Sequence, residues 1–359
     1  MKKLPIHRVV VYVLIAFSFA CKKEPSVEVA KELKPTTVST FLSPSQLNNS
    51  RPVSVAFDKA NNLYFADGIA RIFKVTPQGN LSLYAGSGGT GYQDGSLDKA
   101  KFLWPYGLAF DRAGNLYVAD SGNQAIRKIS PDGQVTTFAG QPYDVTSITN
   151  VSVDGIGKEA RFYNPLVLTI DRSDNLFVGE YADASAYVAV IRKITPQANV
   201  TSYAGTAGKM TLQQYSNPST LISPRGLAVN SKGELFIGCP GVIYKVSTSG
   251  QTTVYSGVRE QYGSSPNGPI NSARYGLITS LRFDSNDNLY IGETGAGIVR
   301  KIATDGQVSD VTGSRLGGYK DGPLQAAEFG SVEDLAFSPS GSLYVADNRN
   351  GAIRKITFE

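Results

Sequence analysis

Histidine is almost missing from this chain. One histidine, His7, stands among 359 residues, with two cysteines, two methionines and a single tryptophan. His7 lies in an N-terminal stretch that reads as an export leader, so the exported protein is expected to contain no imidazole. That expectation excludes a Ser/His/Asp triad, a Cys/His dyad and any His-ligated zinc or haem site. A surplus of one charge is missing as well. The formal net charge of +5 includes Lys2, Lys3 and Arg8 of the leader; without them 32 basic residues face 30 acidic ones. A near-neutral chain offers no broad counterion-releasing surface, so no nucleic-acid partner is expected despite a pI of 8.9. A membrane-spanning run is also lacking, since the apolar stretch 9–20 falls short of the ~20 residues a spanning helix needs.

What is present at the N-terminus is a basic segment, that apolar stretch, and Cys21 directly after Ala20. The order reads as an export signal over 1–20, and the position of Cys21 resembles a bacterial lipoprotein signal, in which the cysteine becomes the lipidated first residue. It departs from that pattern at Ser18, where such signals usually carry Leu; an ordinary secretory signal cleaved near Ala20 is the other reading. The segment 21–35 mixes Lys, Glu and Pro without apolar periodicity, which predicts a solvated tether of ~45 Å when extended. With Cys21 acylated, the remaining Cys239 has no disulfide partner and is expected to be buried.

The rest of the chain repeats. The run GNLYVADSGNQAIRKISPDGQVTTFAG at 114–140 has a near copy, GSLYVADNRNGAIRKI, at 341–356. The residue closing the LYVA-like tetrad recurs as Asp67, Asp120, Glu180, Cys239, Glu293 and Asp347, every 53 to 60 residues. Each copy holds four short alternating runs separated by turn signals such as DRAG, DSGN and SPDG, which predicts a four-stranded antiparallel sheet. One such sheet cannot bury both apolar faces, so six are expected to pack around an axis as an all-β, six-bladed propeller over 36–359. The sixth copy lacks its last strand, whereas VSTF at 38–41 precedes the first copy and matches 135–138. The N-terminal strand should therefore close the last blade.

The unit resembles the NHL repeat. Asp120, Asn123, Ile126, Arg127, Gly133 and Gly140 carry the resemblance in the second copy, and Asp347, Asn350, Ile353 and Arg354 in the sixth. It implies the propeller and leaves the activity open, because one fold hosts many chemistries. Peptidyl-hydroxyglycine and streptogramin lyases of similar fold rely on histidines that this chain lacks after its leader. Gluconolactonase-like propellers hold a divalent ion with carboxylates and amides.

A residue the scaffold needs should recur in every blade; a residue of the site should not. Lys74, Lys128, Lys193, Lys245, Lys301 and Lys355 share one register, beside Arg127, Arg192, Arg300 and Arg354. They read as side chains that cover blade faces and pair with carboxylates, not as an anion-binding ring. The acidic register reads either as turn-capping carboxylates or as oxygen donors for a cation such as calcium. The phrase DGxxxxAxF, at Asp94–Phe102, Asp154–Phe162 and Asp321–Phe329, recurs in the long inter-blade connections and reads as a structural hook. Non-recurring residues there, Trp104, Tyr106, Tyr143, Tyr215, Tyr262 and Arg225, are the better site candidates. Arg225 is expected to face Glu333 and Asp334 across the mouth of the axial channel. Trp104, Tyr106, Arg225, Glu333 and Asp334 thus form the predicted ligand site. The function expected from them is a non-catalytic, monomeric envelope lipoprotein that needs no cofactor and binds a glycan, a peptide or an envelope protein. It would be lipid-anchored through Cys21 to the outer membrane. The alternative is a divalent-metal-dependent hydrolase or lactonase.

Overall fold

Apolar side chains alternate along each short run and polar turns cut the runs at four to seven residues, so each repeat folds into hairpins. In four of the six hairpins that leave the innermost strands, an aspartate clamps the turn. Asp111 accepts the amide of Asn115 at 2.8 Å and its side-chain nitrogen at 2.6 Å, and Asp58–Asn62, Asp171–Asn175 and Asp284–Asn288 repeat the pattern. The computed structural model describes residues 34–359 apart from 49, 88, 143–151, 182–188, 206–220, 259, 260, 262 and 264. The leader, Cys21, Tyr143, Tyr215 and Tyr262 lie outside the described residues.

Six antiparallel sheets form a six-bladed β-propeller. The innermost strands are Ser54–Phe57, Pro105–Phe110, Pro165–Ile170, Gly226–Val229, Ile278–Phe283 and Asp334–Phe337, in blades 1 to 6. Six apolar clusters hold it together, each shared by two neighbouring blades. Tyr64 and Ile72 of blade 1 pack with Leu108 and Val118 of blade 2, for example, and Leu63 of blade 1 packs with Ala336 and Tyr344 of blade 6. The core therefore sits in the seams between blades, as expected of sheets that cannot bury two faces alone.

The ring closes with the N-terminal strand. Pro35–Leu42 pairs antiparallel with Ala352–Phe358, so the first strand of the chain is part of the last blade. Val38 and Leu42 are buried in the core on either side of that strand.

Four blades carry five strands where four were expected. In blades 2, 3, 5 and 6 the incoming connection lays a two-residue strand, such as Gly95–Ser96 or Gly322–Pro323, along the outermost strand. The long connections are therefore spent in part on covering a sheet edge, which would otherwise present unpaired backbone groups. The hook sequence explains how they are held. In blade 2, Arg127 is fully buried; its Nη2 donates to Asp94 of the hook at 2.6 Å and to the Gln93 carbonyl at 2.8 Å. Its Nη1 donates to Asp120 at 2.8 Å, and the guanidinium lies 5.2 Å from the Phe102 ring. Blades 3 and 6 repeat this with Arg192, Asp154, Glu180 and Phe162, and with Arg354, Asp321, Asp347 and Phe329. In blade 5 Arg300 sits over Tyr275 and pairs with Asp310 and, at 3.7 Å, Glu293.

These arginines correct the sequence-based expectation. They pair with carboxylates as expected but do not cover blade faces; among the described residues they are the largest fully buried side chains. The lysines of the adjacent register, themselves partly exposed, do lie over buried aromatic rings, as Lys74 over Tyr64 and Lys355 over Tyr344. Nor are the acidic residues mainly turn caps, except Asp67, whose Oδ1 accepts the amides of Ile69, Ala70 and Arg71. In blade 4, where the acid is Cys239, the arginine is also gone and buried Tyr244 takes its register. The buried charges are lost together because either one alone would be left uncompensated in the interior.

Candidate channel-mouth site

The carboxylates of the acidic register position the site. Besides its arginine, each of four of them accepts the amide of a residue three places before an innermost-strand entry: Leu103 on Asp120, Tyr163 on Glu180, Gly276 on Glu293 and Gly330 on Asp347. Three residues after those amides stand Tyr106, Leu166, Thr279 and Glu333. With Val53 of blade 1 and Arg225 of blade 4, these give one residue per blade, and all six line a single cavity of about 320 Å³ at one end of the channel. Trp104, Asn164, Arg282, Ser54 and Asp334 share its walls.

All five predicted site residues thus border one cavity, in different roles. Trp104 is 53% exposed and sits at φ +54°. Asn164 and Ser223 occupy the same register at φ +50° and +48°. Asn and Ser are short polar residues at this left-handed position; a bulky tryptophan is uncommon there, at a strain on the order of 1 kcal/mol. The Trp104 amide donates to the Ile69 carbonyl at 3.0 Å, and exposed Ile69 stands beside it as an apolar lip.

Glu333 is the carboxyl with the most perturbed setting in the cavity. Burial pushes it above the usual carboxylate range and the neighbouring Asp334 adds to the shift, while Arg225 and the Thr294 hydroxyl, which donates to it at 3.3 Å, pull it back. Burial likewise raises the Tyr106 phenol, helped by Glu333 and opposed by Arg225. Tyr106, Arg225 and Glu333 therefore share one electrostatic environment.

Asp334 is a clasp. It accepts the Ser280 hydroxyl at 2.7 Å, Arg282 Nη2 at 3.0 Å, and the amides of Val55 at 3.0 Å and Leu335 at 2.8 Å. It ties blades 5, 6 and 1 together and is already surrounded by donors. Arg282 was missed at the sequence level because it sits inside an innermost strand, where the period-2 pattern assigns it to a blade face.

Calcium does not fit these residues. The acidic register is divided among five blades, each carboxylate engaged by its own arginine or by amides, and among the described residues no three His, Cys, Asp or Glu side chains come together. At the mouth, Arg225 and Arg282 stand beside Glu333 and Asp334, the two carboxylates among the described residues lining the cavity, and oppose a cation.

A family model for the NHL repeat matches residues 102–129. NHL repeat-containing protein 2 of Homo sapiens is 32% identical over 166 residues, which span 44% of this chain and 22% of that protein. The chain thus spans about a fifth of the length of that relative. Among solved structures, a Bacteroides ovatus auxiliary nutrient binding protein matches with a TM-score of 0.65 at 15% identity, covering 91% of this chain and 77% of its own. A Xanthomonas campestris gluconolactonase matches at 0.57 and 14%, covering 90% of each chain. A streptogramin B lyase matches at 0.54 and 14%, covering 90% and 98%. The expectation that the protein is not an enzyme is overturned by these neighbours, two of which are enzymes on this architecture. The described residues include no histidine, and the mouth holds an ionisable carboxyl and a phenol. The chain contains an NHL repeat, is similar to NHL repeat-containing proteins, and folds as a six-bladed propeller to which these solved structures are similar in fold.

Proposed function

We propose that the channel mouth is the working site of a tethered envelope propeller, and that it takes in a small polar ligand with an apolar part, such as a peptide or glycan segment. The observation that carries this reading is Trp104, half exposed and strained, on the wall of the cavity that Tyr106, Arg225 and Glu333 also line. Strain on a bulky residue at a cavity wall is tolerated where the side chain is needed. An aromatic lip beside opposite charges suits such a ligand. The likeness to a nutrient binding protein agrees with it.

Fluorescence of the single tryptophan provides the test. Titration with peptide and saccharide panels should give a saturable change for a bound ligand. Trp104→Gly should weaken that ligand at least tenfold, read by calorimetry, yet melt at or above the parent because glycine relieves the left-handed strain. Equal affinity in Trp104→Gly and Arg225→Ala would remove the mouth as the site.

A catalytic reading has its own support in Glu333, whose raised carboxyl suits general acid–base work on a bound substrate without a metal. Product formation from a bound ligand by the parent, absent in Glu333→Gln, would establish it; turnover unchanged by that substitution would dismiss it.

The anchoring through Cys21 belongs to the same proposal. Cys21→Ala should release the protein from salt-washed membranes, and a variant that stays bound would refute lipidation.

A further inference from the structure

Four blades have their outermost strand covered, and they show what that edge requires. In blade 2 the backbone of Val135 pairs with Gly95 of the incoming connection, and Asp94 accepts the Thr137 amide at 3.1 Å. Asp321 does the same for the Thr40 amide of blade 6 at 2.9 Å, and Asn267 for the Asp310 amide of blade 5 at 2.7 Å. The side chain at this register is polar in all four covered blades. It is Thr137, Ser202, Asp310 or Thr40, each opposite the buried arginine of the neighbouring strand.

Blade 1 departs from this at every point. Its incoming connection, 43–53, passes directly to the innermost strand, and among the described residues no strand covers the outer side of Leu81–Ala85. Phe73 stands in the arginine register, and opposite it is Leu83, 52% exposed. The Thr76 amide donates to the Asn80 carbonyl, so Asn80 and Ser82 turn their backbone groups inward and Leu81 and Leu83 present theirs outward. Charged side chains usually blunt such an edge, yet no charged residue occurs from 75 to 93. Blade 4 has four strands as well, but residues 206–220 of its connection lie outside the described ones.

We infer that a second copy of this chain supplies the missing strand, in place of the monomer expected from the sequence. The outer strands of the two first blades pair antiparallel about a two-fold axis at Ser82. Leu81 of each copy then exchanges both backbone bonds with Leu83 of the other, and Ser82 faces Ser82 across the axis. Leu83 shares a sheet face with Leu81, which packs with Phe73 in the seam against blade 6. Pairing therefore lays the exposed Leu83 of one copy beside Leu81 of the other, a cross-strand contact that takes it out of water. A second copy suits this edge because side chains near a two-fold axis meet their own counterparts, and a charge there would repel itself. The uncharged run 75–93 removes that repulsion and offers no charge with which to select a foreign segment. The edge lies at the rim of the ring while innermost strands line the mouth, so both mouths stay open. Four backbone bonds and two leucines make a small contact, with a dissociation constant on the order of 10–100 µM.

The experiment uses the chain carrying Cys21→Ala, which leaves the buried Cys239 as its own thiol. Sedimentation velocity across that concentration range should show a reversible monomer–dimer equilibrium. With oxidised glutathione, Ser82→Cys should close an intermolecular disulfide, since a non-hydrogen-bonded antiparallel pair holds its Cα atoms about 4.5 Å apart, within reach of the bond. Thr136→Cys, also exposed and at the same register of the covered blade 2, should stay monomeric. Leu83→Lys should weaken association roughly tenfold or more and suppress the Ser82→Cys crosslink. Leu83→Thr, which installs a residue of the covered blades, should weaken association less. Circular dichroism checks the fold of each variant; if Leu83→Lys fails to fold, the contrast between Ser82→Cys and Thr136→Cys decides. A chain that stays monomeric across the range, a dimer that forms equally well in folded Leu83→Lys, or equal crosslinking of Ser82→Cys and Thr136→Cys would each overturn the inference.

Discussion

Replacing Arg127 by Met is expected to destabilise the protein by about 3–5 kcal/mol, the usual loss when one partner of a buried ion pair is removed. Arg127 Nη1 donates to Asp120 at 2.8 Å with both side chains fully buried, so the variant leaves Asp120 without its counter-charge. The double variant Asp120→Asn/Arg127→Met should lose less than the sum of the single variants, with a coupling of about 1 kcal/mol or more in urea denaturation. The pH dependence follows from the direction of the shift. Burial pushes Asp120 up to about 6 against the pull of Arg127, above its ordinary 3.8. A raised carboxyl contributes stability that is present below the unfolded value and lost as pH climbs to the folded one. Removing Arg127 raises Asp120 further, so the deficit of Arg127→Met should be larger at pH 8 than at pH 5. Additive single and double variants, or a deficit equal at both pH values, would mean that the two residues act independently. Because Asp120 also holds the Leu103 amide three residues before Tyr106, the same variant should weaken whatever ligand the mouth binds.

The second large effect is expected from deleting 35–42. Burial of Val38 and Leu42 alone is worth on the order of 5 kcal/mol, and the backbone pairing with Ala352–Phe358 is lost with them. The deletion also removes the Thr40 amide and hydroxyl that donate to Asp321, the hook carboxylate which holds Arg354. A large drop in melting temperature and aggregation through the opened edge should follow. A synthetic peptide of residues 34–42 added in trans should raise the melting temperature again by strand addition. A deletion that melts like the parent would show that the ring does not depend on this closure.

Much of this molecule is written locally. Alternation, turn residues and a period near 54 residues are properties of neighbouring positions, and they suffice for the strands, the blade count and the closing strand. Repetition within one chain marks the scaffold and leaves Trp104, Tyr106 and Arg225 as exceptions; the structure places them, with Glu333 and Asp334, around one cavity. The partners of the repeated residues were not legible. Asp120 and Arg127 recur at fixed spacing, but nothing in the spacing says that both are buried, that Asp94 from the preceding connection completes the set, or that Cys239 and Tyr244 replace the pair jointly. Asp334 looked equivalent to Glu333 and is a clasp, because its donors come from Val55, Ser280 and Arg282, far away in the chain.

The sequence by itself determined the architecture, because a propeller is built from local hairpins whose pattern is periodic and whose number is counted by the repeat. Only the tertiary structure decided which charges are consumed inside the scaffold and which remain at the mouth. Burial and ion pairing depend on residues brought together from different blades, and closing the ring is what places Val53 of the first blade beside Glu333 of the last.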